Sequence, residues 1–229
     1  MSQTLVATAP PPPPQPRRPR RWPLTIGALA GPLFVGTFLV AGAVRAHYDP
    51  LRHPVSSLEL GDHGWVQHAN FIVAGLLTLA LAAGLWRTHR AGGVLIGIWA
   101  LGLVGAGVFT TDPVSGYPPG TPDRPIHATW HGALHDGVSL VGFVALVAAC
   151  LVIARRFARD GRRGWAVYSV LTAIVFTAML VLATIAFSGG SPLTAIGGLF
   201  QRIMATSAWL WLTLLALRER AGAARRRLD

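Results

Sequence analysis

The chain contains no lysine, a single cysteine and few charges. Charged residues make up 13% of its 229 positions, where a soluble domain carries roughly 25%. With one cysteine no intrachain disulfide can form, and Cys150, inside an apolar run, reads as a packing residue. The missing lysine leaves arginine as the only strong base, and the formal net charge is +11. These arginines sit in short clusters between apolar segments. That is the pattern of loops flanking membrane spans, not of a nucleic-acid groove, so nucleic acid is excluded as a partner and membrane lipid is indicated.

What is abundant is apolar sequence, 52% of the chain. Six runs are long enough to cross a hydrocarbon core of about 30 Å as helices. They are Leu24–Val44, Trp65–Trp86, Ala91–Thr110, Trp130–Ala154, Trp165–Phe187 and Leu193–Leu217. The expected fold is therefore all-α: a polytopic six-helix transmembrane domain over 24–217. Before it lies a Pro- and Arg-rich tail, 1–23, with too little apolar surface to pack, and after it a basic tail, 218–229. The Arg17–Arg21 segment leading into the first apolar run resembles a signal peptide. The run is longer than a secretory core and lacks a small-residue cleavage site, so it is expected to remain as the first span.

Of the 20 basic residues, 16 fall in the two tails and the second and fourth loops, against Arg45, Arg52 and Arg124 on the other side. Both termini are then expected in the cytoplasm, in a plasma-membrane protein. Trp22, Trp65, Trp86, Trp130 and Trp165 fall at span ends, as aromatic belts do. Gly27 with Gly31, and Gly93 with Gly97, are small-xxx-small pairs expected to let helices approach inside the bundle.

Most of the histidines and acids gather on the Arg-poor side. His127, His131 and His135 follow at i, i+4 and i+8 into the fourth span, beside Asp136. Asp112 closes the third span ahead of Pro113, which puts it at the depth of His131 and His135. Two histidines at i, i+4 suit zinc, with His68, His127 or Asp112 as a third ligand and an open position to activate water. Ser56 and Ser57 precede a Gly-containing turn, where serine is a cap or turn former unless it joins such a site. Arg202 is the charge deepest in a span. At a cost of roughly 2.5–3.5 kcal/mol at a helix centre it needs a partner, and Glu59, Asp112 and Asp136 are the candidate carboxylates.

Several of these segments together resemble the DUF998 family of polytopic membrane proteins. They are His53-Pro-Val-Ser-Ser-Leu58, Gly64-Trp-Val-Gln67, Gly107-Val-Phe-Thr-Thr-Asp-Pro113, His131-Gly-Ala-Leu-His135 and Phe200-Gln-Arg-Ile203. The resemblance covers about Leu24 to Leu217 and implies a six-helix membrane bundle without a known activity. A looser similarity is to membrane hydrolases of the alkaline-ceramidase and progestin/adiponectin-receptor type. In those a serine, an aspartate and three histidines surround zinc; Ser56 or Ser57, Asp112, His131 and His135 would be the matching types. Those proteins have seven spans and draw their histidines from more than one helix.

Two functions fit. One is a metal-dependent hydrolase of a lipid-type substrate, with Asp112 and Ser57 as catalytic groups and His131, His135 and His68 on the metal. The other is a non-enzymatic membrane subunit, sensor or small transporter, in which Arg202, Glu59, Asp136 and the histidines form a satisfied polar network. Bis-histidine haem ligation is a third option; it would need His68 opposite the fourth span.

Overall fold

The computed structural model describes residues 22–124 and 128–225. The expected tail up to residue 21, His127 and the last residues of the basic tail lie outside them.

Six helical spans form an antiparallel bundle. The first is made of α1 (Trp22–Gly27) and α2 (Ala30–Val44), and the next four are α3 (Gly64–Leu85), α4 (Arg90–Val108), α5 (Trp130–Arg159) and α6 (Arg163–Phe187). A 3₁₀ turn, Pro192–Ile196, leads into the sixth, α7 (Gly197–Arg225). Helices are what these sequences must form in lipid, where every backbone N–H and C=O needs a partner within its own segment. Each helix packs on the next in sequence, and α7 returns to α1 and α2, so the spans close a ring. Trp22, Trp65, Trp86 and Trp130 stand exposed at or beside span ends.

The boundaries differ from the hydropathy reading where polar sequence continues a helix. α1 takes in Trp22 and Pro23, the latter tolerated in a first turn because its missing N–H would be unpaired there anyway. α5 and α7 run on through arginines beyond the apolar stretch; basic side chains favour the negative end of a helix. α5 stops at a Schellman turn. Gly161 takes φ +71°, its N–H donates to Ala158 O, and Arg162 N–H donates to Phe157 O at 2.8 Å.

The glycine pairs act within the bundle. A Cβ on Gly27 would run into Leu81 of α3, and one on Gly31 into Thr213 and the Trp209 carbonyl of α7. Gly93 and Gly97 both face Ala82 of α3. Rings from opposite sides meet midway along the bundle. Trp209 lies 5.0 Å from Phe34 and 5.9 Å from Trp99, and Phe143 lies 5.6 Å from Phe176.

Candidate functional site

At the Arg-poor end the first loop folds back into the bundle. Its 3₁₀ turn, Ser56–Glu59, is fixed by Arg45, which donates to Leu60 O at 2.8 Å and to Leu58 O at 3.3 Å. Gly64 lets the start of α3 pass against Glu59, since a Cβ there would overlap the Glu59 carbonyl. The Glu59 side chain is thereby fully buried. Its Oε2 accepts from Thr111 N–H at 3.0 Å and lies 3.5 Å from His135 Nδ1, while Oε1 lies 3.8 Å from His68 Nδ1. Burial disfavours the charged form and pushes the Glu59 carboxyl up to about 8, with the Thr111 N–H acting the other way.

Both histidines serve the end of α4. His68 Nδ1 meets Gly107 O at 3.0 Å, and His135 Nδ1 meets Ala106 O at 3.1 Å and Phe109 O at 2.8 Å. These are carbonyls a helix C-terminus leaves without intrahelical donors. A carbonyl only accepts, so each ring carries its proton on Nδ1 and turns Nε2 the other way.

A second polar group sits nearer the rim. Thr129 caps α5, accepting from Gly132 N–H at 3.1 Å, and the Asp112 carboxylate receives the Thr129 N–H at 2.9 Å and the hydroxyl at 2.6 Å. Gly132 makes room, because a Cβ there would overlap the carboxylate. His131 is exposed, lies against Trp130 with ring centroids 4.3 Å apart, and among the described residues hydrogen-bonds only to Thr129 Oγ1 at 3.3 Å. The row of histidines therefore divides. Asp112 meets His131 through Thr129, while His135, one turn deeper, joins Glu59 and His68. Among the described residues no three His, Cys, Asp or Glu side chains are grouped to hold one metal ion.

Arg202 is buried, as its cost in lipid demands, but its partners are neutral, in place of the expected carboxylate. Nη1 donates to His53 O and Gly198 O, each at 3.1 Å, and Nη2 donates to the Tyr48 hydroxyl at 2.7 Å. Burial raises the Tyr48 phenol, against the pull of Arg202, so the hydroxyl stays neutral. The same loop supplies carbonyls to the start of α7, where Gly198 N–H donates to Arg52 O and Leu199 N–H to Leu51 O. Neither Tyr48 nor Thr129 is among the sequence candidates; Thr129 does carry a signal, as a threonine directly before an apolar helical run.

Between these groups and the aromatic layer lies a cavity of about 550 Å³. Phe34, Trp99, Phe143 and Trp209 form its apolar floor, and Ser56, Asp112, His135, Asp136 and Gln201 its polar upper wall. Ser57 is fully buried outside this lining, its hydroxyl without a hydrogen-bond partner among the described residues. Leu140 of α5 lines the cavity and is still 56% exposed, and Thr184 of α6 is exposed as well. A residue that is both lining and exposed marks a mouth, so the cavity opens between the Arg-poor halves of α5 and α6.

A ring of six apolar helices around a polar-topped cavity defines an integral membrane protein. Its family follows from a match of residues 28–218 to the model of the DUF998 family, described as a protein of unknown function; the chain belongs to that family. No curated protein and no solved structure matches it.

Proposed function

We propose that this protein binds an amphipathic ligand of the lipid class in the cavity at its Arg-poor end, with the ligand's chain on the aromatic floor and its head at Asp136. The observation that carries this reading is the combination of an apolar floor, an acidic upper wall and a mouth between two lipid-facing helices. At about 550 Å³ the cavity is of ligand-binding size, which is roughly 300–1,000 Å³. Among the described residues no arginine lines it, and Asp136 lines it without a hydrogen-bond partner. A cationic, hydrogen-bond-donating head such as a long-chain amine is the chemistry that complements this wall.

Binding is favoured over zinc-dependent hydrolysis because the i, i+4 pair divides, with His131 on Thr129 at the rim and His135 one turn deeper on the α4 carbonyls. Glu59, His68 and His135 hold the end of α4 in place, and His135 also stands on the cavity wall. We place the protein in the plasma membrane with both termini cytoplasmic, on the arginine asymmetry, so that the cavity opens toward the outer leaflet.

The test is thermal stabilisation of detergent-purified protein by dodecylamine against dodecyl sulfonate. The amine should stabilise saturably and the sulfonate should not, and Asp136→Asn should abolish the difference. Equal responses to both heads would refute the assignment of the wall.

A further inference from the structure

A second concave site lies at the opposite, Arg-rich end, where the α3–α4 turn, the α5–α6 turn and α7 enclose a cleft of about 370 Å³. His89 and Glu219 form its floor, with His89 Nε2 3.3 Å from Glu219 Oε1 and both side chains over nine-tenths buried. That contact uses one ring nitrogen. His89 Nδ1 is buried and has no hydrogen-bond partner among the described residues.

Above the floor, Arg87, Arg156 and Arg162 line the cleft. The Schellman turn at Gly161 brings Arg162 back beside Arg156 and Asp160. Asp160 is engaged by Arg156 at 3.3 Å and Glu219 by His89, so neither acid is left over for Arg162. The Arg162 side chain has no hydrogen bond or ion pair among the described residues, and it raises the local positive potential felt by Arg218. Three arginines lining one concave cleft form an anion-binding arrangement. Arginine, the only strong base this chain uses, presents a planar fork that matches phosphate oxygens.

We propose that this cleft binds a phosphate group, gripped by Arg87 and Arg162 at the rim. The phosphate belongs either to the headgroup of an anionic lipid in the adjacent leaflet or to a free phosphate compound. Basic pockets between membrane helices suit the first source, and the cleft's position beyond the apolar part of the spans admits the second.

The experiment measures binding to the full chain purified in dodecyl maltoside, at constant ionic strength. One arm titrates phosphatidylglycerol against phosphatidylcholine in mixed micelles, and the other titrates inorganic phosphate against chloride. Saturable binding in the first arm alone assigns a lipid headgroup; saturable binding in the second assigns free phosphate. In either case Arg162→Gln should weaken it about tenfold or more, whereas Arg159→Gln, on the same surface but outside the cleft, should leave it unchanged. Should Arg162→Gln also lower ligand-free stability, Arg87→Gln must reproduce the loss with stability intact. No saturable binding in either arm overturns the proposal. So does an equal loss in Arg159→Gln, which would show diffuse attraction to a basic surface.

Discussion

Oε2 of Glu59 lies 3.5 Å from Nδ1 of His135, and neither side chain is more than 5% exposed. The carboxyl comes from a loop and the imidazole from a membrane span, so this contact fixes how the first loop seats on the bundle. With the carboxyl raised to about 8 by burial, Glu59 is largely protonated at neutral pH. The pair is then a neutral contact rather than a salt bridge.

Glu59 should make stability depend on pH. An unfolded glutamate ionises near 4.5, while the folded one holds its proton until about 8. Folding is therefore unpenalised below pH 4.5, loses stability as pH rises between these values, and carries the full penalty above pH 8. That penalty is on the order of a few kcal/mol. Glu59→Gln removes the titrating group. Thermal melts of both proteins from pH 5 to 9 should show the variant gaining on the wild type as pH rises; a constant difference would mean that Glu59 is ionised throughout.

Arg202 should prove less costly to remove than a buried ion-pair partner. Its acceptors are the His53 and Gly198 carbonyls and the Tyr48 hydroxyl, none of them charged. Arg202→Met strands no carboxylate, so the expected loss is about 1.5–3 kcal/mol, below the ~3–5 kcal/mol of a broken buried pair. Tyr48→Phe should reproduce part of the same loss and add little more when combined with Arg202→Met. Unfolding free energies in mixed detergent would decide, and additive losses would exclude the contact.

The spans were legible because lipid allows the backbone few choices, and runs such as Leu95–Val108 have no other way to satisfy it. The glycine pairs were legible for the related reason that close approach needs the missing Cβ. The site was only partly so. His135 and Glu59 were both singled out, but their pairing depends on a loop turn held by Arg45 and Thr111, contacts without a local signal. His131 and His135 share a helical side by spacing, yet only the deeper one lies where α4 and α5 touch. Insertion cost correctly required Arg202 to be paired; it could not tell a carboxylate from three neutral oxygens.

Gly132 should be coupled to Asp112. A Cβ at 132 overlaps the carboxylate, so Gly132→Ala should displace the cap of α5. In an Asp112→Ala background that overlap is gone, and the same change should be neutral or slightly stabilising, as alanine is the better helix former. A coupling energy of about 1 kcal/mol or more in the double-mutant cycle is expected. Additivity would show that the two residues do not touch.

Orientation is open to cysteine labelling, because native Cys150 is buried and silent. Pro119→Cys, on the exposed third loop, should label with an impermeant maleimide from outside intact cells, and Arg159→Cys only after permeabilisation. The reverse pattern would invert the proposed topology.

The cavity itself is tested most directly by quenching of Trp99 and Trp209, which form part of its floor. A long-chain amine brominated along its chain should quench tryptophan fluorescence saturably and be displaced by the unbrominated amine. Filling the cavity from α7 with Ala205→Phe, at a small residue of its lining, should remove the saturable component. Linear quenching in the wild type, or saturation that survives Ala205→Phe unchanged, would contradict ligand binding in this cavity.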